Sequence, residues 1–140
     1  MQSLLMNEII YILNSQKYSD IYYCFCMAST AAALNNKVTV FFSSSNLSIF
    51  IREEELYWDE IMIENTKSPK IQNNENILLG NVSFEELIEN SKELKINFLY
   101  CSMLEKKYSI KKFYKGLKIK PSNLGYVFSR KKNNSKIIFI

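Results

Sequence analysis

Four stretches of the chain are almost wholly apolar. They are Glu8–Ser15 (EIIYILNS), Lys37–Phe42 (KVTVFF), Ile96–Cys101 (INFLYC) and Lys136–Ile140 (KIIFI). Short β-branched and aromatic runs without two-residue alternation are the mark of strands buried on both faces. Between the first two lies SDIYYCFCMASTAAALNN. There Ser19 or Asp20 is placed to cap a helix, and the alanine-rich centre favours one. Asn35-Asn36 is a stop, because asparagine tolerates the left-handed backbone that ends helices. The clearest helix signal is VSFEELIENSKEL. Ser83 and Glu86 form a capping box, Val82 and Leu87 sit where a hydrophobic staple needs them, and Phe84, Leu87, Ile88 and Leu94 line one face. Residues 46–65 mix apolar and acidic positions and fit one or two short helices. Residues 66–81 are polar, with one Pro and one Gly, and read as an excursion. LEKKYSIKKFYKGL (104–117) reads as a basic, partly helical connection. PSNLGYVFSRKK reads as a further short helix with Pro121 in its first turn. Strands that alternate with helices predict an α/β chain with a parallel sheet covered on both faces; the strand order is not legible.

At 140 residues the chain fits one domain, 1–140, with a variable excursion at about 46–81. A domain of this size buries enough surface to fold without disulfide or metal. Three cysteines without regular spacing argue against a secreted disulfide framework. The absence of histidine removes zinc fingers and the Ser-His and Cys-His triads. The start MQSLLMNEII lacks a basic leader, and no apolar run approaches the roughly 20 residues of a membrane span, so a cytoplasmic protein is expected. Charge is unevenly spread. Residues 1–100 hold 7 Lys/Arg against 13 Asp/Glu, whereas residues 101–140 hold 11 against 1. Biased composition explains such a block as well as an anionic partner does.

Chemistry in a parallel α/β sheet gathers beyond the carboxyl ends of the strands. Cys101 falls there, at the end of INFLYC. Amide N–H groups of a following helix, with Lys106 and Lys107 one turn on, would draw a cysteine pKa down from ~8.5. The bland alternative is a small buried hydrophobe. Cys24 and Cys26 stand about 200° apart on a helix and read as packing residues. Glu53–Glu55 reads as a solvated face, and no metal or cofactor is expected. With only Gly80, Gly116 and Gly125 in the chain, phosphate-binding glycine loops are excluded, as is a nucleophile elbow. A nucleic-acid contact would use Lys111, Lys112, Lys115, Lys118, Lys120, Arg130, Lys131 and Lys132, with Phe113, Tyr114 and Tyr126 interleaved.

Three segments carry a family likeness: ASTAAALNNKVTVFFS, SFEELIENSKELKINFLYCSM and GLKIKPSNLGYVFSRKKNNSKIIFI. With the first strand they cover most of the chain, and 46–81 matches least. The chain resembles the DsrE/DsrF-like sulfur-relay family, in particular the subgroup labelled peroxiredoxin-like. The likeness implies a three-layer α/β/α sandwich with a mostly parallel five-stranded sheet, in a homo- or hetero-oligomer. It implies that Cys101 carries sulfur as a persulfide between a donor and an acceptor protein. Ser102, Met103, Lys106 and Lys107 would then stabilise the thiolate, and Ser43, Ser44, Ser45 and Asn46 would line the same site. Cys101 has no resolving cysteine and no preceding Thr, which argues against a peroxidase. The competing readings are a binding module that contacts RNA or an acidic partner through the basic C-terminal third, and an oligomer subunit with Tyr57, Trp58 or Tyr126 in its contacts.

Overall fold

A computed structural model describes residues 7–59, 61–108, 112–130 and 134–140. The elements follow in the order β1 (Glu8–Leu13), α1 (Tyr18–Ala33), β2 (Lys37–Phe42), α2 (Pro69–Leu78), α3 (Phe84–Glu93), β3 (Asn97–Cys101), β4 (Ile119–Ser122), α4 (Leu124–Ser129) and β5 (Ser135–Phe139). Turns of 3-10 helix occur at Ser45–Phe50, Ser102–Leu104 and Tyr114–Gly116. The strands form one sheet in the order β4-β3-β2-β1-β5, parallel throughout. This is the expected α/β class with the expected five strands. The four apolar runs became β1, β2, β3 and β5; the first three are largely buried on both faces, whereas β5 is an edge strand that leaves Lys136 and Phe139 exposed. β4 (IKPS) is the strand that the residue pattern missed, since only Ile119 of its four residues is buried.

The two faces of the sheet differ in depth. One is covered by α1 and α3, and its core is aromatic. Phe25 of α1 lies at the centre, with ring centroids 5.3 Å from Phe84, 5.7 Å from Phe98 and 5.9 Å from Phe50. Rings at such spacings add about 0.5–1.5 kcal/mol per pair beyond their burial. The other face holds a small cluster of Ile10, Ile12, Phe41, Leu99 and Val127, the last contributed by α4. Cys101 and Ile137 pack against this cluster and are partly buried.

Several local expectations held. Ser83 Oγ accepts the Glu86 N–H at 3.1 Å and starts α3. Asn35 takes the left-handed conformation, φ 69°, just beyond α1. Others need correction. α1 starts at Tyr18 after Lys17, which supplies no side-chain cap. Ser19 instead binds Glu64 through its hydroxyl (2.6 Å) and its N–H (2.9 Å), and Asp20 accepts from the Ser15 hydroxyl at 2.6 Å. The polar stretch 66–81 holds the ten-residue α2, capped by Ser68 and opened by Pro69. Among the described residues of 46–65 the helical structure is a buried 3-10 helix, Ser45–Phe50, and no α-helix. Among the described residues of 104–117 there is no α-helix either, only the last residue of one 3-10 turn and a second turn. Pro121 lies in the edge strand β4, where a missing N–H on the open side costs nothing, and Asn123 caps α4 instead.

Candidate functional site

The register of the strands assembles a row of side chains at the carboxyl end of the sheet. Leu13 pairs with Phe42, and Phe42 with Tyr100, so the next residues, Asn14, Ser43 and Cys101, lie side by side. Cys101 pairs in turn with Ser122 of β4. Phe42 and Tyr100 point to the α1/α3 face. Alternation along a strand therefore directs Cys101 to the α4 face, where it meets the Leu99 and Val127 cluster. Its flank is thus apolar, but the residue remains half-exposed.

Cys101 differs from the other two cysteines by its surroundings. Cys24 is fully buried, and burial pushes its thiol up to about 12; Cys26 is also pushed up by burial. Both belong to the packing of α1 against the sheet. After Cys101 the chain makes one 3-10 turn, Ser102–Leu104, instead of entering a longer helix. That turn is pinned from the opposite face: the Tyr100 hydroxyl donates to Glu105 Oε1 at 3.0 Å. Ser102 and Met103 are exposed, Met103 at 85%. Lys106 and Lys107 are exposed, and Lys107 Nζ lies over the Tyr108 ring at 5.2 Å. No hydrogen bond or ion pair among the described residues links either lysine to Cys101.

Ser43, Ser44, Ser45 and Asn46 do gather at this end of the sheet, and most of their polar groups serve the backbone. Ser43 Oγ lies 3.0 Å from Asn14 Oδ1 and 3.2 Å from the Leu13 carbonyl. Ser44 Oγ accepts the Asn46 N–H at 3.3 Å, and Ser45 opens the 3-10 helix. Asn46 is buried and donates through Nδ2 to the carbonyls of Leu13 (2.8 Å) and Ser15 (3.0 Å). Its Oδ1 is buried without a partner. Ser43 stands beside Cys101; Asn46 acts as a buried tie between β1 and the loop after β2.

The residues singled out for other roles are mostly occupied. Phe113 and Tyr114 are buried, so neither ring is free to stack on a base. Lys112 approaches Glu53 at 3.7 Å, and the Lys115 N–H donates to the Glu53 carbonyl at 2.7 Å. Arg130 pairs with the buried Glu8 at 3.3 Å. Lys118 and Lys120 are exposed. Lys111, Lys131 and Lys132 lie outside the described residues. Glu55 pairs with Arg52 at 3.2 Å, and the Arg52 guanidinium lies 4.2 Å from the Tyr57 ring centre. Trp58 packs on Tyr18 at 5.9 Å, while Tyr126 is exposed.

One residue without a signal in the local pattern is Asn73 of α2. It is buried, and its Oδ1 accepts the Tyr18 hydroxyl (3.2 Å) and the Phe84 N–H (2.8 Å). Its Nδ2 donates to Glu85 Oε1 at 2.7 Å. It thereby ties α1, α2 and the start of α3 together. Nothing in QNNEN distinguishes it from Asn74; only the Ser68-Pro69 helix start could have set the register.

The five parallel strands with helices on both faces define an α/β fold consistent with a three-layer sandwich. Among solved structures, the chain is similar to the ychN protein from E. coli, with a TM-score of 0.62 at 10% identity, over 97% of this chain and 100% of that one. No family model matches the chain, and no curated protein matches it in sequence. No helix among the described residues is long and apolar enough to cross a membrane.

Proposed function

We propose that the protein is a sulfur carrier in which Cys101 holds a persulfide. The carrying observation is that Cys101 is the cysteine at the carboxyl edge of the sheet and is partly exposed there, whereas Cys24 and Cys26 both lie on α1, where Cys24 is fully buried, Cys26 is partly buried, and burial raises the pKa of each. Sulfane transfer fits such a position. The Cys101 thiolate attacks the outer sulfur of a donor persulfide, the donor S–S bond breaks, and the donor leaves as a thiolate. The proton of the donor persulfide stays on the transferred sulfur, and no external oxidant is consumed. In this reading the N–H groups of Ser102 and Met103 and the cations of Lys106 and Lys107 would have to move onto the sulfur as the donor docks, since Cys101 accepts no cap hydrogen bond and neither lysine contacts it at rest. Ser43 supplies a polar neighbour, and exposed Met103 offers a soft apolar contact to the incoming donor.

The test is intact-protein mass spectrometry after treatment with a persulfide donor. Wild type gains one sulfur atom, about 32 Da, which a thiol reductant removes. Cys101→Ser gains none, whereas Cys26→Ser gains the same mass as wild type. Sulfur spread evenly over the three cysteines, or equal loading of Cys101→Ser, would end the proposal.

A further inference from the structure

The two edges of the sheet are built differently. β4 contains Pro121 and the exposed Lys120, with exposed Lys118 just before it. Proline and lysine are devices that keep an edge from pairing with another strand. β5, at the opposite edge, reads SKIIF and has one lysine and no proline. Its inward side pairs with β1 from Ser135 to Phe139, and hydrogen bonds at the two ends of that ladder show which residues face inward. The Ile140 N–H donates to the Ile12 carbonyl (3.0 Å), the Asn14 N–H to the Ile140 carbonyl (2.8 Å), and the Glu8 N–H to the Asn134 carbonyl (3.4 Å). Alternate residues of a strand address opposite neighbours. Ser135, Ile137 and Phe139 therefore turn their N–H and C=O groups to the open side. Among the described residues, no strand pairs there.

Apolar surface flanks that edge on both faces. On the α4 side, Tyr126, Phe128 and Phe139 are 47%, 45% and 67% exposed, and the last two rings meet at 6.5 Å. On the α1 side, Tyr23 and Leu34 stand exposed over a groove of about 560 Å³ whose floor includes Ile9 and Tyr11 of β1, the strand next to β5. Four aromatic rings of about 200 Å² each, a little over half exposed, leave about 450 Å² of ring surface per copy. Two copies, with the leucines and the strand edges added, exceed the roughly 1,000 Å² total that a specific interface needs.

We propose that two copies of the chain join through β5, antiparallel, about a two-fold axis perpendicular to the sheet. With Ile137 opposite its own copy, Ser135 lies opposite Phe139. The outward groups then make about six backbone hydrogen bonds. Lys136 falls opposite Ile138, so no like charges meet. An axis perpendicular to the sheet keeps each face on its own side, so α1 meets α1 and α4 meets α4. An added foreign strand would satisfy the edge alone; a second copy also brings matching apolar surface to both faces, as a two-fold interface requires.

The edge supplies its own test. Ile137→Pro removes an N–H that makes no bond within the chain, and Ile137→Ala shortens the same side chain while keeping that N–H. Sedimentation at micromolar concentration should give wild type and Ile137→Ala at twice the 16.5 kDa chain mass. Ile137→Pro should be monomeric, with an unchanged circular dichroism spectrum. Phe139→Glu should weaken the dimer at least tenfold. If Ile137→Pro does not fold, the surface double variant Tyr126→Glu/Phe128→Glu takes its place and is expected to be monomeric. Cys101→Ser should dimerise as wild type does, so the result stands apart from sulfur loading. A monomeric wild type overturns the proposal, and so does any assembly that survives both Ile137→Pro and the double glutamate variant.

Discussion

Cys24, Cys26 and Cys101 carry the same thiol in three environments, and an alkylating reagent reads the difference. A thiol held at about 12 has about one part in ten thousand as thiolate at pH 8, so Cys24 should stay unlabelled in the native state. Cys101, half-exposed at the sheet edge, should react with iodoacetamide well ahead of Cys26, as peptide mass spectrometry after a timed quench can show. Equal labelling of all three in folded protein would contradict the site. Asn73 makes a second prediction at this scale. Asn73→Leu strands the Phe84 N–H and the Tyr18 hydroxyl and should cost about 2–3 kcal/mol in urea denaturation. Asn74→Leu, its neighbour in sequence, should cost far less. Cys101 could be placed from sequence because an apolar run ends on it. Its apolar flank could not, since that depends on α4 crossing the sheet, and strand order is not written in local pattern. Asn73 was illegible because polar residues surround it in the chain.

Helix ends show how much of each element is local. α3 was legible because its start is encoded in adjacent residues, and Ser83→Ala should lower stability by about 1 kcal/mol. α1 ends in the left-handed Asn35, so Asn35→Gly should raise stability by a few tenths of a kcal/mol and Asn35→Ala should lower it, measured by the same denaturation. The start of α1 was misread because Ser19 and Asp20, good caps in isolation, are engaged by Glu64 and Ser15. Glu64 is distant in sequence, and tertiary partners override local preference. α2 was missed because it buries only Pro69 and Asn73 and leaves almost no apolar stripe to detect. β4 was missed for a related reason, since an edge strand with one buried residue has no periodic signal.

The molecule as a whole holds several tyrosines away from water. Burial raises Tyr11, Tyr18, Tyr22, Tyr100 and Tyr114 above the ordinary value of 10.0. A neutral phenol favoured by the fold contributes stability that is complete below the unfolded-state pKa and is lost as pH rises through the folded-state value. Stability should thus be flat with respect to these groups below pH ~10 and fall steeply above it. Urea midpoints at pH 8, 10 and 11 would show this, and Tyr18→Phe should weaken the fall. A midpoint unchanged at pH 11 would contradict it. The unequal thickness of the two faces also has a consequence for motion. α1 spans 16 residues over a deep aromatic layer, whereas α4 spans 6 and buries one side chain, Val127. Amide exchange should therefore divide the molecule in two, with α4 opening at a small fraction of the global unfolding free energy while α1 opens only with it. Each such opening uncovers Leu99 and the flank of Cys101, so access to the thiol becomes a matter of timing, set by the least anchored helix.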